Sequence, residues 1–114
     1  MSSISIERLN SLVQRELAII VNKENKSDEF SYYNITEVKI TRDLSYATVY
    51  YTLLNDEPEM IEKAQANLDR LNKQIRKELA MKVNNLRKMP ELIFKYDEAL
   101  AYGNKIDKLL KSVQ

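Results

Sequence analysis

Between Pro58 and Val83 the apolar residues recur every three or four positions. Ile61, Ala64, Leu68, Leu71, Ile75, Leu79 and Val83 all fall on one side of a helical wheel. No other feature restricts the fold as much, because a pattern of about 25 residues is long for a small globular domain. The period predicts one helix or two joined at a kink, and does not separate the two. The start is well marked. Pro58 is tolerated in a first helical turn, and Asp56, Glu57 and Glu59 complement the positive end of the helix dipole. Asn84 and Asn85 can terminate the run, since Asn accepts the left-handed conformation.

The flanking segments supply the rest of a two-layer domain. Ile6, Leu9, Leu12, Val13, Leu17, Ile20 and Val21 form the apolar face of a first helix, a face that can cover a sheet. The polar stretch NKENKSDE then reads as a loop. Residues 32–41 read as a strand whose alternation slips at Ile35, which predicts a bulge. In the next run Ala47, Val49, Tyr51 and Leu53 share one face and Tyr46, Thr48, Tyr50 and Thr52 the other. With Arg42, Asp43, Leu44 and Ser45 as a short connection, the two runs form an antiparallel hairpin. After Pro90, the residues Leu92, Phe94 and Tyr96 mark a third strand. A tail over 98–114 has weak helical spacing through Leu100, Ile106, Leu109 and Leu110, with Gly103 interrupting it. The expected architecture is an α+β domain over 1–97, a three-stranded sheet with helices on one face, followed by the tail.

Composition narrows the chemistry. The 114 residues suit one domain and carry neither Cys nor His. Disulfides, thiol nucleophiles, the commonest metal ligand and the commonest general base are therefore excluded. A single glycine cannot build a GxxxxGKS/T or GxGxxG phosphate loop. Asp43 and Asp97 are the only pairing of carboxylates that suggests itself, and Asp at a turn or strand end is ordinary. No enzyme, no metal and no cofactor is expected. No apolar run approaches the roughly 20 residues that span a bilayer, and no signal-peptide pattern opens the chain, so the reading is cytoplasmic and without a membrane partner.

The net charge of +1 is uninformative, but its distribution is not. Residues 1–59 hold 6 basic and 10 acidic side chains, residues 60–90 hold 8 and 3, and residues 91–114 hold 4 and 4. On the long helix Lys63, Arg70, Lys73 and Lys77 are spaced by 7, 3 and 4 residues. They form a stripe roughly 80° wide that points about 165° away from the apolar one. Arg76 and Lys82 lie off the row, and Arg87 and Lys88 carry the charge into the next loop. Such a row suits successive phosphates of a nucleic acid. It also suits a merely solvated helix face diluted by Asp69 and Glu78. Tyr46 and Tyr50, on the face of their strand away from the core, can be read as base-stacking groups or as residues that simply favour strands.

Three ordered stretches settle the balance: TRDLSYATVYY at 41–51, IRKELAMKVNNLRKMPEL at 75–92 and FKYDEALAYGNKIDKLL at 94–110, with QRELAII at 14–20 in support. Together they resemble the ribosome-binding factor A family. The resemblance implies a KH-like, type II-like fold of order α-β-β-α-(kink)-α-β plus tail. It implies a cytoplasmic, monomeric, non-catalytic factor that binds the free 30S subunit, assists late 16S rRNA maturation at the 5′ end, acts alongside other assembly factors and supports growth in the cold. It makes Lys63, Arg70, Lys73, Arg76 and Lys77 the expected rRNA contacts, then Arg87 and Lys88, then Arg42 at the hairpin turn. The other reading is a protein–protein module that docks the basic face on an acidic partner. Three departures stand out. Leu71, Asn72 and Lys73 replace the Ala-x-Gly at the kink, Asp97, Glu98 and Ala99 replace a D-x-S, and Ser27, Asp28 and Glu29 replace an Asp-Pro-Arg loop.

Overall fold

The computed structural model describes residues 5–25, 32–83, 86 and 88–113. The elements run α1 (Ile6–Glu24), β1 (Tyr33–Ile40), β2 (Tyr46–Leu53), α2 (Pro58–Lys82), β3 (Glu91–Tyr96) and α3 (Glu98–Val113). This is the expected KH-like α+β order. The expectations at Asn84, Asn85, Ser27, Asp28 and Glu29 lie outside the described residues.

The sheet has the order β1-β2-β3, antiparallel then parallel. The bulge expected in β1 is there: the register slips between Ile35 and Glu37, leaving Thr36 without a partner on β2. The slip returns Val38 and Ile40 to the face that carries Tyr33 and Ile35, so all four are buried. Beneath them Leu9, Val13, Leu17, Ile20 and Val21 of α1, and Ala64, Leu68, Ile75 and Leu79 of α2, close one core. Each fully buried aliphatic or aromatic side chain contributes about 1.5–3 kcal/mol. Surface ion pairs such as Lys39–Glu37 and Lys63–Glu59 contribute under about 1 kcal/mol each. The core therefore holds the fold.

α2 is one unbroken helix through Leu71, Asn72 and Lys73, so the kink left open by the sequence does not divide it. All three residues tolerate helix, none is glycine, and Asn72 is tied down by donating to the Leu92 carbonyl at 3.0 Å. α3 likewise passes through Gly103, which therefore does not interrupt the tail. Asp97 starts α3 by accepting from the Leu100 N–H at 3.0 Å, which supplies the cap that an Ala at 99 cannot.

Both edges of the sheet are sealed by helix side chains. On β1, Asn22 bonds both the N–H and the carbonyl of Tyr33, Gln14 donates to the carbonyls of Ile35 and Thr36, and Asn10 accepts from the Ile40 N–H. On β3, Arg76 donates to the carbonyls of Met89 and Pro90, Asn72 to Leu92 and Gln65 to Phe94. An edge so occupied is a poor template for an added strand.

Candidate nucleic-acid interface

The hairpin turn is built by its own side chains. Thr41 Oγ1 donates to Asp43 Oδ1 at 2.8 Å, and both oxygens accept from the Ser45 N–H. Leu44 takes φ 61°, the left-handed residue that closes such a loop. Hydrogen bonds from Ser45, then from Thr41, hold the Asp43 carboxyl below its ordinary range. It therefore stays ionised beside Arg42. The Ser45 carbonyl accepts from the Glu91 N–H, and its hydroxyl lies 3.5 Å from Lys88 Nζ. The loop after α2 and the hairpin turn thus meet at one end of the molecule.

α2 runs toward that end, antiparallel to β3. Lys63, Arg70, Lys73 and Lys77 are exposed on its outer face, with Lys63 and Lys77 about 21 Å apart along the axis. Lys88 and Arg42, also exposed, continue the positive charge onto the hairpin. Arg87 lies outside the described residues. Glu78 does not weaken the row. It is turned toward α1, where the Lys23 ammonium bonds it and holds its carboxyl low. Asp69 lies on the other flank and accepts from Gln65. Lys73 and Lys77 carry no ion pair among the described residues.

Two of the expected contacts are employed within the fold. The Arg76 guanidinium is 3.0 Å and 2.7 Å from the carbonyls of Pro90 and Met89, and 3.7 Å from Glu91. It positions the loop that carries Lys88 rather than standing in the row. Arg70 is exposed but donates to Asn67 Oδ1 at 2.6 Å, and Asn67 in turn donates to the Tyr33 hydroxyl. One edge of that guanidinium is fixed, which pre-orients the rest. The sequence reading does not include Ser45 in the site. Its place in the RDLS turn, where a short hydroxyl faces the next connection, is the signal that could have found it.

On the opposite side of the molecule, Tyr46 is 52% exposed and Lys39 Nζ stands 5.7 Å from the centre of the Tyr50 ring. Asp43 and Asp97 do not form a pair. They flank opposite ends of β2, where Ser45 and Tyr51 bond Glu91 and Asp97, six residues or about 20 Å apart. Among the described residues no group of acidic side chains could hold a metal ion, and no helix is long and apolar enough to cross a membrane.

Comparison with known proteins identifies the family and agrees with the fold. The family model for ribosome-binding factor A matches residues 5–110. The chain is 46% identical over 107 residues to ribosome-binding factor A of Phytoplasma mali, covering 94% of each. It is 42% identical over 106 residues to that of Enterococcus faecalis, covering 93% of this chain and 90% of the other. The crystal structure of ribosome-binding factor A from Thermus thermophilus superposes with a TM-score of 0.71 at 22% identity, over 82% of this chain and 97% of that one. The Thermus thermophilus factor as fitted into a cryo-EM map of a 30S complex gives a TM-score of 0.67 at 24% identity, over 80% and 93%. The chain belongs to the ribosome-binding factor A family.

Proposed function

We propose that this protein binds the free 30S subunit and assists late maturation of 16S rRNA, its 5′ end included, without catalysing a reaction. The carrying observation is the band of cations on Lys63, Arg70, Lys73 and Lys77 that runs off α2 onto Lys88 and Arg42. These side chains stand on a continuous helix, on the loop after it that Arg76 holds and on a self-braced turn, and those on α2 sit at intervals that suit backbone phosphates. The family's name and the 30S complex of the Thermus thermophilus relative support the choice of particle. Arg76 has a positioning role, and Arg87 flanks the band in sequence.

Co-sedimentation with purified 30S subunits, 50S subunits and 70S ribosomes tests the reading. Salt-sensitive binding to 30S alone, lost in Lys73→Glu/Lys77→Glu, is the expected result. Binding that persists after the rRNA is digested would favour an acidic protein partner for this face. Equal binding to all three particles would overturn the proposal.

A further inference from the structure

The first turns of α2 and the start of α3 enclose an open groove of about 630 Å³. It is lined by Pro58, Ile61, Gln65 and Ala66, together with the carboxylates of Glu62, Asp69 and Glu98. One and two turns beyond Glu98, on the same side of α3, stand Tyr102 and Ile106, exposed by 68% and 38%. Apolar side chains thus follow the groove along α3, while Asp56 and Glu57, both exposed and just before Pro58, add negative charge near its α2 end. Apolar surface laid out in a strip between helices is the geometry that receives an amphipathic helix. The chemistry selects the occupant. Phosphates and anionic lipid headgroups are repelled by these carboxylates, and an acidic peptide equally so, whereas lysine and arginine side chains flanking an apolar stripe complement them.

We propose that this groove docks a lysine- and arginine-rich amphipathic segment of a protein partner. α2 is then two-sided in function: its outer basic face meets RNA, and its N-terminal groove meets basic protein. The second role does not depend on the first, because the groove shares no residue with the cationic band.

The test is a fluorescence-anisotropy titration of the full chain with a labelled helical peptide of about 18 residues, leucine on one face and lysine on the other. A scrambled peptide of the same composition is the control. The helical peptide is expected to bind at least about tenfold more tightly than the scrambled one, or about 1.4 kcal/mol. Glu62→Lys, which reverses one lining charge, and Ala66→Trp, which crowds the groove, are each expected to weaken it about fivefold or more. Both positions are exposed, so the fold tolerates the changes. Lys39→Glu, on the opposite side of the molecule, is expected to leave it unchanged. Equal binding of the two peptides, or binding indifferent to both groove variants, overturns the proposal. So does concentration-dependent self-association abolished by Tyr102→Ser, which would assign the groove to a second copy of the chain.

Discussion

Asn67 is only 7% exposed, although the helical period sets it beside the apolar stripe rather than on it. The end of α1 and the ring of Tyr33 cover it there. Its amide links the Arg70 guanidinium to the Tyr33 hydroxyl, which itself donates to the Ala64 carbonyl. Asn67→Ala removes two of these bonds and leaves Arg70 unanchored. The expected cost is about 1–2 kcal/mol, read as a lower urea midpoint with an unchanged slope. Tyr51 presents the complementary case. Its hydroxyl donates to Gln65 Oε1 at 2.6 Å, its ring meets those of Tyr33 and Tyr96 edge-on, and burial pushes its ionisation well above the ordinary value of 10.0. Burial raises Tyr33 as well. Because the folded pKa values lie above the unfolded ones, both tyrosines are protonated in both states well below pH 10, and their ionisation gives stability no pH dependence there. Above that pH the unfolded chain releases its protons first, so stability falls. Tyr51→Phe is expected to lower stability at pH 7 by about 1 kcal/mol, yet to flatten the decline above pH 10. Urea unfolding at pH 7, 10 and 11 checks both halves.

Periodicity made the elements legible because burial of a face leaves a direct trace in the order of apolar residues. The hairpin at Ala47, Val49 and Tyr51, the slip at Ile35 and the α2 stripe at Leu68, Ile75 and Leu79 all follow from it. The edge seals left no such trace. Asn10, Gln14, Asn22, Gln65 and Asn72 read as ordinary polar residues on helices, because an amide that bonds a strand edge has the same place in the period as one that faces water. The unbroken course of α2 was open for a related reason: the bond from Asn72 to the Leu92 carbonyl, which anchors the middle of the helix, is a tertiary contact. Gly103 misled in the other direction. It weakens a helix without breaking it, and an added Cβ there would meet nothing within 4 Å. Gly103→Ala is accordingly expected to stabilise α3 by about 0.5–1 kcal/mol, seen as a gain in ellipticity at 222 nm with the core transition unchanged.

At the scale of the whole molecule the charge is arranged by end and by face. The acidic start of α2 lies at the far end from the hairpin, and the cations gather along its outer face and where Lys88 meets Ser45. The row itself was visible in sequence because it is a property of one helix. Arg42 was named from sequence too, but its closeness to Lys88 was not legible, since that depends on β3 pairing in parallel with β2 and so bringing the loop before it to the turn. Nor could sequence separate Arg76 from its neighbours Lys73 and Lys77. All three are cations within one and a half turns, and only the carbonyls of Met89 and Pro90 distinguish them. That distinction yields opposite signatures. A lysine that neutralises one phosphate contributes about 0.7–0.9 to the slope of log affinity against log salt, and nothing to folding. A guanidinium that bonds two buried-edge carbonyls contributes to folding and leaves that slope alone. Lys73→Ala is therefore expected to reduce the salt slope of 30S binding by about one unit, with stability within about 0.5 kcal/mol of the parent. Arg76→Ala is expected to cost about 1–2 kcal/mol in urea unfolding, to lower affinity through a loosened Lys88 loop, and to keep the parent's slope. If the two variants exchanged signatures, Arg76 would be the phosphate ligand, and the band would run along the β3 side of α2 instead of its outer face.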